Sequence, residues 1–218
     1  MPLCSLEEAL DDLKAGKFVI VVDHEDRENE GDLVMPAELV TSDTVNFAIT
    51  EARGLLCMPV TGERLDELNI PLMIPEDPHS TDQTAFTVSV DYNKGTTTGI
   101  SAQDRAATVR AVIDPNARSN DFSRPGHLFP LRYNPGGVLA RAGHTEAIID
   151  LCRMMGMALA GIVCEIMNKD GTMSRIPELE KFAKRHSLKI LSIVELIIHR
   201  RREKLVEQVT GTTTAHIG

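Results

Sequence analysis

One stretch of the chain organises the rest: it runs Phe18-Val19-Ile20-Val21-Val22 and then Asp23-His24-Glu25-Asp26-Arg27-Glu28-Asn29-Glu30-Gly31-Asp32. The first five residues are apolar and mostly β-branched, which predicts a buried strand. Six of the next ten residues carry a carboxylate. A strand that ends in dense negative charge is a natural place for a polar site on a hydrophobic scaffold.

This acidic loop, residues 23–32, needs positive charge nearby. Carboxylates so close together raise one another's pKa unless a cation lies among them. Arg27 can neutralise one of them, and a bound divalent metal would offset more. A solvated acidic loop is the alternative, and it is the usual interpretation of a charge run. The interruption of the run by Arg27, Asn29 and Gly31, which a solubilising tract does not need, favours a functional site.

The composition is that of a globular protein with an acidic balance. At 218 residues the chain fits one large domain or two small ones, and its hydrophobic content of 42% is ordinary. The net charge of −9 and the scattered basic residues argue against a nucleic-acid-binding surface. The four cysteines include no C-x-x-C pair, and a chain this long does not need disulfides, so we expect neither structural zinc nor a disulfide framework.

We expect no targeting or membrane segment. The first residues, Met1 to Glu8, lack the basic region and the long apolar run of a signal peptide. No run approaches the roughly 18 apolar residues of a membrane span. We therefore predict a cytoplasmic protein with reduced cysteines and without a membrane or nucleic-acid partner.

Helical and strand patterns alternate along the chain. Apolar periodicity and capping residues predict helices at 6–15, 42–53, 63–68, 101–112, 145–155, 177–186 and from 195 onward. Apolar or alternating runs predict strands at 18–22, 33–35, 55–60, 84–91, 127–132, 160–167 and 188–194. We predict an α/β fold of α+β-like character: a single domain over residues 1–210, with a mixed sheet flanked by helices. The sheet should be mixed because 84–100 resembles a hairpin, and 211–218 should be a disordered tail.

Arg141-Ala142-Gly143-His144-Thr145-Glu146 is a glycine-containing loop that enters a predicted helix. Unpaired N–H groups at such a helix start, with Thr145 as a possible cap and Arg141 alongside, would hold a phosphate well. An ordinary capped helix start is the alternative. His144 could ligate a metal together with a carboxylate of the acidic loop, although a lone histidine is more often a surface or packing residue.

Three further stretches could contribute to a site. Arg124-Pro125-Gly126-His127 predicts a rigid turn that delivers His127 to a strand start, where it could transfer protons, or simply a turn. Glu165 lies in an apolar strand and must find a partner or shift its pKa, unless it faces outward from an edge strand. Residues 96–105 are rich in hydroxyls and could bind an anion, but helix capping explains most of them.

Oxygen ligands with at most one imidazole suit Mg²⁺ or Mn²⁺ better than zinc or copper. Together with a phosphate-binding helix start, they predict a metal-dependent enzyme that acts on a small phosphorylated polyol or sugar. The residues by themselves do not specify the reaction.

Five motifs taken together resemble one family. They are Glu25-Asp26-Arg27-Glu28-Asn29-Glu30-Gly31-Asp32, Thr97-Thr98-Gly99-Ile100-Ser101, Arg124-Pro125-Gly126-His127, Gly143-His144-Thr145-Glu146-Ala147 and Cys164-Glu165. In this order they are similar to the 3,4-dihydroxy-2-butanone 4-phosphate synthases of riboflavin biosynthesis. The resemblance runs from about Leu6 through the helix at 195–205, so residues 1–210 would be the synthase domain.

The resemblance implies that D-ribulose 5-phosphate is converted to L-3,4-dihydroxy-2-butanone 4-phosphate and formate, with Mg²⁺, which Mn²⁺ could replace. The metal would acidify the C3 proton and stabilise an enediolate; dehydration, a skeletal shift and loss of C4 would follow. The family is homodimeric, with sites built from both subunits. Many members continue into a GTP cyclohydrolase II domain, and the sequence leaves open whether this chain does.

The resemblance also implies roles for individual residues. Glu28 and His144 would ligate the metal, and His127 and Glu165 would transfer protons. Asp23 and Cys57 match positions that line the family's site, and both are candidate catalytic residues. The residues expected to contact substrate, with those of the phosphate loop last, are Arg27, Glu28, Asp32, Glu165, Arg141, Ala142, Gly143, His144 and Thr145.

Two alternative functions follow from the same residues. Another Mg²⁺-dependent sugar-phosphate enzyme, an isomerase or a phosphatase, would need a similar site, and the reaction product distinguishes it from a synthase. A calcium-binding EF-hand loop is excluded because the glutamate required at its twelfth position would fall on Ala37 and because the preceding segment is strand-like.

Overall fold

A seven-stranded mixed sheet runs through the computed structural model, which describes residues 3–74 and 83–210. Its strands are β1 (Val19–Val22), β2 (Gly31–Pro36), β3 (Cys57–Val60), β4 (Val90–Tyr92), β5 (Phe122–Arg132), β6 (Gly161–Glu165) and β7 (Lys189–Ser192). They lie in the order β4-β5-β3-β6-β2-β1-β7. The pairs β1–β7 and β3–β5 are parallel, and the other neighbours are antiparallel. The predicted mixed α/β sheet is confirmed.

Helices cover both faces of this sheet. They are α1 (Leu6–Lys14), α2 (Ser42–Phe47), α3 (Gly62–Glu67), α4 (Ala102–Ile113), α5 (His144–Met155), α6 (Ile176–His186) and α7 (Ile193–Thr210). A π-helical segment, Ala48–Ala52, continues α2. The predicted capping box of Ser5 and Glu8 starts α1, and Pro177 lies in the first turn of α6, where its missing N–H costs nothing. None of the helices in the described part of the chain is long and apolar enough to cross a membrane.

The core has two layers, one on each face of the sheet. Val19 and Val21 of β1 pack toward α1, α5 and α7, whereas Ile20 and Val22 pack toward α2, α3, α4 and α6. All four residues of β1 are buried because helices cover both of its faces, and so the strand is continuously apolar in sequence.

The predicted hairpin at 84–100 is wrong. β4 pairs in antiparallel fashion with β5, which comes some thirty residues later, with Tyr92 opposite Phe122. The residues after β4 instead fold around Asp104, whose Oδ2 accepts hydrogen bonds from the N–H groups of Thr97 and Gly99. The sheet is mixed for another reason, which is that the acidic loop joins β1 and β2 as an antiparallel pair.

The predicted turn at Arg124–His127 is also wrong, because these residues lie inside β5, which begins at Phe122. The Arg124–Pro125 peptide bond is cis. The pairing with β4 shifts register between Val90 and Asp91, and proline is tolerated in a sheet at such an irregularity. The tail at 211–218 lies outside the described residues.

Candidate active site

A cavity of about 280 Å³ opens where the ends of four central strands of the sheet meet. The carboxyl ends of β1 and β6 meet the amino ends of β2 and β3 there, because each of these strands is antiparallel to its neighbour in the site. The amino end of α5 lies beside these strand ends and lines the cavity with His144 and Thr145. The lining residues are Arg27, Glu28, Glu30, Asp32, Cys57, Thr84, Phe86, Leu131, Arg141, His144, Thr145, Val163 and Glu165.

Asp23 holds the acidic loop in shape. Its Oδ2 accepts hydrogen bonds from Arg27 Nη1 at 2.8 Å and from the Glu28 N–H at 3.1 Å, and its Oδ1 accepts one from the Glu30 N–H at 2.8 Å. Burial alone would raise the pKa of Asp23, but these hydrogen bonds and nearby His144 hold that pKa below its usual value. Asp23 is absent from the lining, so the structure places it beneath the loop rather than at the cavity surface.

One oxygen or nitrogen from each of Asp23, Glu28 and His144 lies within 4.8 Å of the others. His144 Nε2 is 3.2 Å from the Val21 carbonyl oxygen, which can only accept, so Nε2 carries the proton and Nδ1 keeps its lone pair. Burial lowers the pKa of His144 to about 4, so the ring is neutral near pH 7. The predicted metal ligands Glu28 and His144 are therefore brought together in a form that can bind a cation.

Asp32 and Glu165 form the second acidic part of the cavity. They lie opposite each other across β2 and β6. Burial, together with the charge of Glu165, raises the pKa of Asp32 well above its usual value. Asp32 Oδ1 is buried without a hydrogen-bond partner among the described residues, and it lies 3.9 Å from His144 Nδ1.

Glu165 does not face outward from an edge strand, because β6 lies between β3 and β2. Its Oε2 accepts a hydrogen bond from the Leu55 N–H at 2.8 Å. Gly54 lies directly against it, and a Cβ at that position would overlap the Glu165 main chain and lie 2.6 Å from Oε2. The absence of a side chain at Gly54 allows this approach.

The donor set fits a divalent cation. The carboxylates of Asp23 and Glu28 and the neutral imidazole of His144 lie together, and Asp32 Oδ1 is 3.9 Å from His144 Nδ1. Oxygen-rich sites of this kind suit Mg²⁺ and Mn²⁺. Neither zinc-type thiolates nor a cluster of several imidazoles is present among the donors described here.

The amino end of α5 forms the cationic side of the cavity. Gly143 is the N-cap and makes no side-chain cap bond, so the prediction that Thr145 caps the helix is wrong; Thr145 instead lines the cavity. Arg141 is buried, with Nη1 at 2.7 Å from Glu146 Oε2 and Nη2 at 2.8 Å from Thr84 Oγ1. Free helical N–H groups beside a fixed guanidinium favour an anion. Ala142 and Gly143 belong to this loop but do not line the cavity.

Cys57 lines the cavity from the start of β3. Burial, with the charges of Glu165 and Asp32 adding to it, strongly raises the pKa of its thiol. The thiol is therefore protonated at neutral pH, which suits a hydrogen-bond donor or a packing group better than a nucleophile.

His127, unlike the other predicted catalytic residues, lies at the protein surface. It is absent from the cavity lining, and its side chain is 43% exposed. Its Nδ1 lies 2.6 Å from Asp91 Oδ2, and its N–H donates to Asp91 Oδ1 at 2.8 Å. Gly99, at a φ of 93°, packs directly on the same carboxylate. The ring is thus held rigidly at the surface.

Sequence analysis missed several residues around the site. Thr84, Phe86, Leu131 and Val163 line the cavity, and Asp91 orients His127. Phe86 arrives through an isolated bridge to Leu131, a long-range contact with no local sequence pattern. Arg175, whose Nη1 donates to the Glu28 carbonyl oxygen at 2.8 Å, was also missed.

The fold and the cavity define an α/β protein in which potential divalent-metal ligands lie beside the start of a helix. The model of the 3,4-dihydroxy-2-butanone 4-phosphate synthase family matches residues 7–199. The chain belongs to this family, whose members are enzymes of riboflavin biosynthesis, and the predicted family and enzyme class are confirmed.

Relatives of different length agree with this assignment. The chain is 52% identical over 209 residues to the 3,4-dihydroxy-2-butanone 4-phosphate synthase of Agrobacterium fabrum, covering 96% of this chain and 98% of that protein. It is 54% identical to the riboflavin biosynthesis protein RibBA of Aquifex aeolicus, covering 95% of this chain and 52% of the relative. It therefore spans nearly all of one relative and about half of the other.

Solved structures of 3,4-dihydroxy-2-butanone 4-phosphate synthases have the same fold as this chain. A 3,4-dihydroxy-2-butanone 4-phosphate synthase in complex with two magnesium ions superposes with a TM-score of 0.84 at 39% identity, covering 96% of this chain and all of that chain. The two-domain synthase RibBX of A. baumannii gives a TM-score of 0.85 at 47% identity, covering 90% of this chain and 58% of that chain.

Proposed function

We propose that the cavity converts D-ribulose 5-phosphate to L-3,4-dihydroxy-2-butanone 4-phosphate and formate. One observation carries the proposal: a cation-binding acidic cluster and an anion-binding helix start face one cavity large enough for a pentulose phosphate. Membership of the synthase family supports the same reaction.

Glu28 and His144 would hold Mg²⁺, with Mn²⁺ as a substitute, and a relative solved with two magnesium ions supports a divalent metal here. When bound, the metal would polarise the substrate's carbonyl and hydroxyl oxygens and make the adjacent C–H more acidic. Asp23 fixes the loop that carries Glu28, and the Val21 carbonyl fixes the ring of His144. Asp23 is therefore proposed as a positioning residue.

The phosphate would bind at the start of α5. Arg141 supplies charge, and Thr145 supplies a hydroxyl and an unpaired helical N–H. Glu146 and Thr84 hold the Arg141 guanidinium in place before substrate arrives. Arg27, which bridges Asp23 and Glu28, would contact the substrate from the opposite wall.

The proton transfers would use the two facing carboxyl groups. Asp32 stays protonated to a higher pH than an ordinary aspartate, so it can donate a proton to a departing hydroxyl. Glu165, fixed by the Leu55 N–H, would accept the proton removed from carbon. The Cys57 thiol would remain protonated and donate a hydrogen bond beside them.

His127 would act from a second subunit. The residue is solvent-exposed and oriented by Asp91, which is the expected state of a group that completes a site across a homodimer. Mixing two inactive variants, His127→Ala and Glu165→Gln, should restore about a quarter of the activity, since half of the dimers are then mixed and each has one intact site. No recovery from mixed dimers would mean that His127 does not act across the subunit interface, and an active His127→Ala variant would place His127 outside the reaction.

Incubation with ribulose 5-phosphate and Mg²⁺, with and without EDTA, tests the reaction. We expect stoichiometric formate by NMR, its loss in EDTA, and its loss in Glu28→Ala and His144→Ala. Free phosphate would instead indicate a phosphatase, and a rearranged pentulose without formate an isomerase. A folded protein that yields no formate would refute the proposed reaction.

A further inference from the structure

Arg175 contacts the acidic loop from the side opposite Asp23. Its Nη1 donates to the Glu28 carbonyl oxygen at 2.8 Å and also to the Asn29 carbonyl oxygen. These are main-chain contacts, so Arg175 acts on the path of the loop and does not pair with the Glu28 carboxylate, which binds Arg27.

The main chain of the loop turns at this point. Asn29 has a φ of 55°, in the left-handed region that asparagine adopts more readily than most residues other than glycine. The Asp23 carboxylate accepts hydrogen bonds from the Glu28 and Glu30 N–H groups, and the Asp23 N–H donates to the Glu30 carbonyl oxygen at 3.4 Å. The carbonyls of Glu28 and Asn29 are held instead by Arg175.

Hydrogen bonds fix the main chain on both sides of the Arg175 side chain. The preceding Ser174 is buried, and its N–H donates to the Ile166 carbonyl oxygen just beyond β6 at 3.1 Å. The Arg175 N–H donates to Glu178 Oε2 at the start of α6. One turn later Leu179 is buried against Gly31, where β2 begins. The main chain that carries Arg175 is thus anchored beside the strands that carry Asp32 and Glu165.

We propose that Arg175 is a positioning residue for metal binding, which fixes the main chain of residues 28–29 so that the Glu28 carboxylate stays near His144. It touches neither metal nor substrate. The inference rests on the proposed role of Glu28 as a metal ligand. Partners of this kind, one shell beyond the ligands, typically change metal affinity by about 10- to 100-fold when they are lost.

The test is Mn²⁺ binding to the protein without substrate, measured from the EPR signal of free Mn²⁺. Arg175→Met keeps the aliphatic stem and removes both hydrogen bonds, so we expect the Kd for Mn²⁺ to rise at least about tenfold. Activity should recover substantially at saturating Mn²⁺, because no reacting group has changed. Arg175→Lys keeps the charge but lacks the planar guanidinium, so its Kd for Mn²⁺ should lie between those of wild type and Arg175→Met. The Lys variant replaces the Met variant in the test if the latter does not fold.

Arg64→Met is the matched control. Arg64 also holds two main-chain carbonyls, those of Val112 at 2.7 Å and Asp114 at 2.6 Å, and it does not line the cavity. Its loss should lower the melting temperature and leave the Kd for Mn²⁺ unchanged. An unchanged Kd in both Arg175 variants would overturn the inference. If Glu28→Gln also leaves the Kd unchanged, the proposed metal site itself fails, so the two failures are distinguishable.

Discussion

Asp32 and Glu165 lie opposite each other on β2 and β6, and Asp32 keeps one buried oxygen without a hydrogen bond among the residues described. Two buried carboxyl groups on neighbouring strands destabilise the folded state unless one binds a proton or both bind a cation. The arrangement is unfavourable for the fold and useful for the site.

Replacing Asp32 should therefore stabilise the protein while it abolishes activity. The folded-state pKa of Asp32 is raised, so its unfavourable contribution is small below the ordinary aspartate pKa and grows as the pH rises through the folded-state value. Asp32→Asn should melt higher than wild type in EDTA at pH 7 to 8, by about 2–4 °C per kcal/mol gained. The difference should shrink toward pH 4. A melting temperature of Asp32→Asn below that of wild type at pH 7 to 8 would contradict the prediction.

His144 should make the metal-free protein less stable in mild acid. Its pKa is lowered to about 4 by burial, whereas the unfolded ring titrates near 6.5. The unfolded state therefore binds a proton first, and stability is lost as the pH falls from about 6.5 to about 4. His144→Gln cannot titrate and should lose less stability over this window. Thermal melts in EDTA at half-unit pH steps would measure this difference. The prediction is refuted if the melting temperatures of both proteins fall equally between pH 6.5 and pH 4.

A methyl group at Gly54 should displace Glu165. The added Cβ would overlap the Glu165 main chain, so Gly54→Ala should cost about 1–3 kcal/mol in overpacking and reduce kcat by at least about tenfold. Gly171→Ala is the control: the φ of 88° at Gly171 strains an alanine, but its Cα has open space around it, so the variant should lose stability and keep its kcat. Equal kcat values for the two variants would show that Glu165 tolerates the displacement.

The Asp91–His127 pair predicts a catalytic defect without a metal defect. Asp91→Asn should leave His127 at the surface but remove the acceptor that orients its ring, and we expect kcat to fall by about 10- to 100-fold. The Kd for Mn²⁺ should not change. Asp121→Asn, which breaks an exposed ion pair with Lys94, provides a comparison with unchanged kcat. A wild-type rate in Asp91→Asn would remove the pair from the mechanism.

Much of the site could be predicted because its residues sit in locally unusual sequence. The acidic loop and the loop from Arg141 to Thr145 have compositions that a plain turn does not need, and the structure brings both to one cavity. Glu165 was recognised as an acid within an apolar strand. Each of these signals is contained in a stretch of at most ten residues, within which periodicity and charge can be compared directly.

The errors came from long-range pairing. Tyr92 pairs with Phe122 instead of forming a local hairpin, and the turn-forming residues before His127 lie within a long strand. Thr84 and Phe86 reach the cavity only because Phe86 bridges to Leu131. Arg175 acts on loop carbonyls nearly 150 positions earlier in the chain. No local pattern marks such contacts, because the partners are chosen by the packing of the whole sheet.

A divalent cation bound beside the carboxyl groups of Asp32 and Glu165 would also link the protein's lifetime to the supply of that cation. A cation that binds only the folded state stabilises it in proportion to the logarithm of the free cation concentration. When the cation is scarce, the acidic cavity would lose that counterion and a larger fraction of the chains would unfold. Unfolded chains are degraded first, so a shortage would lower the abundance of the protein as well as its turnover rate.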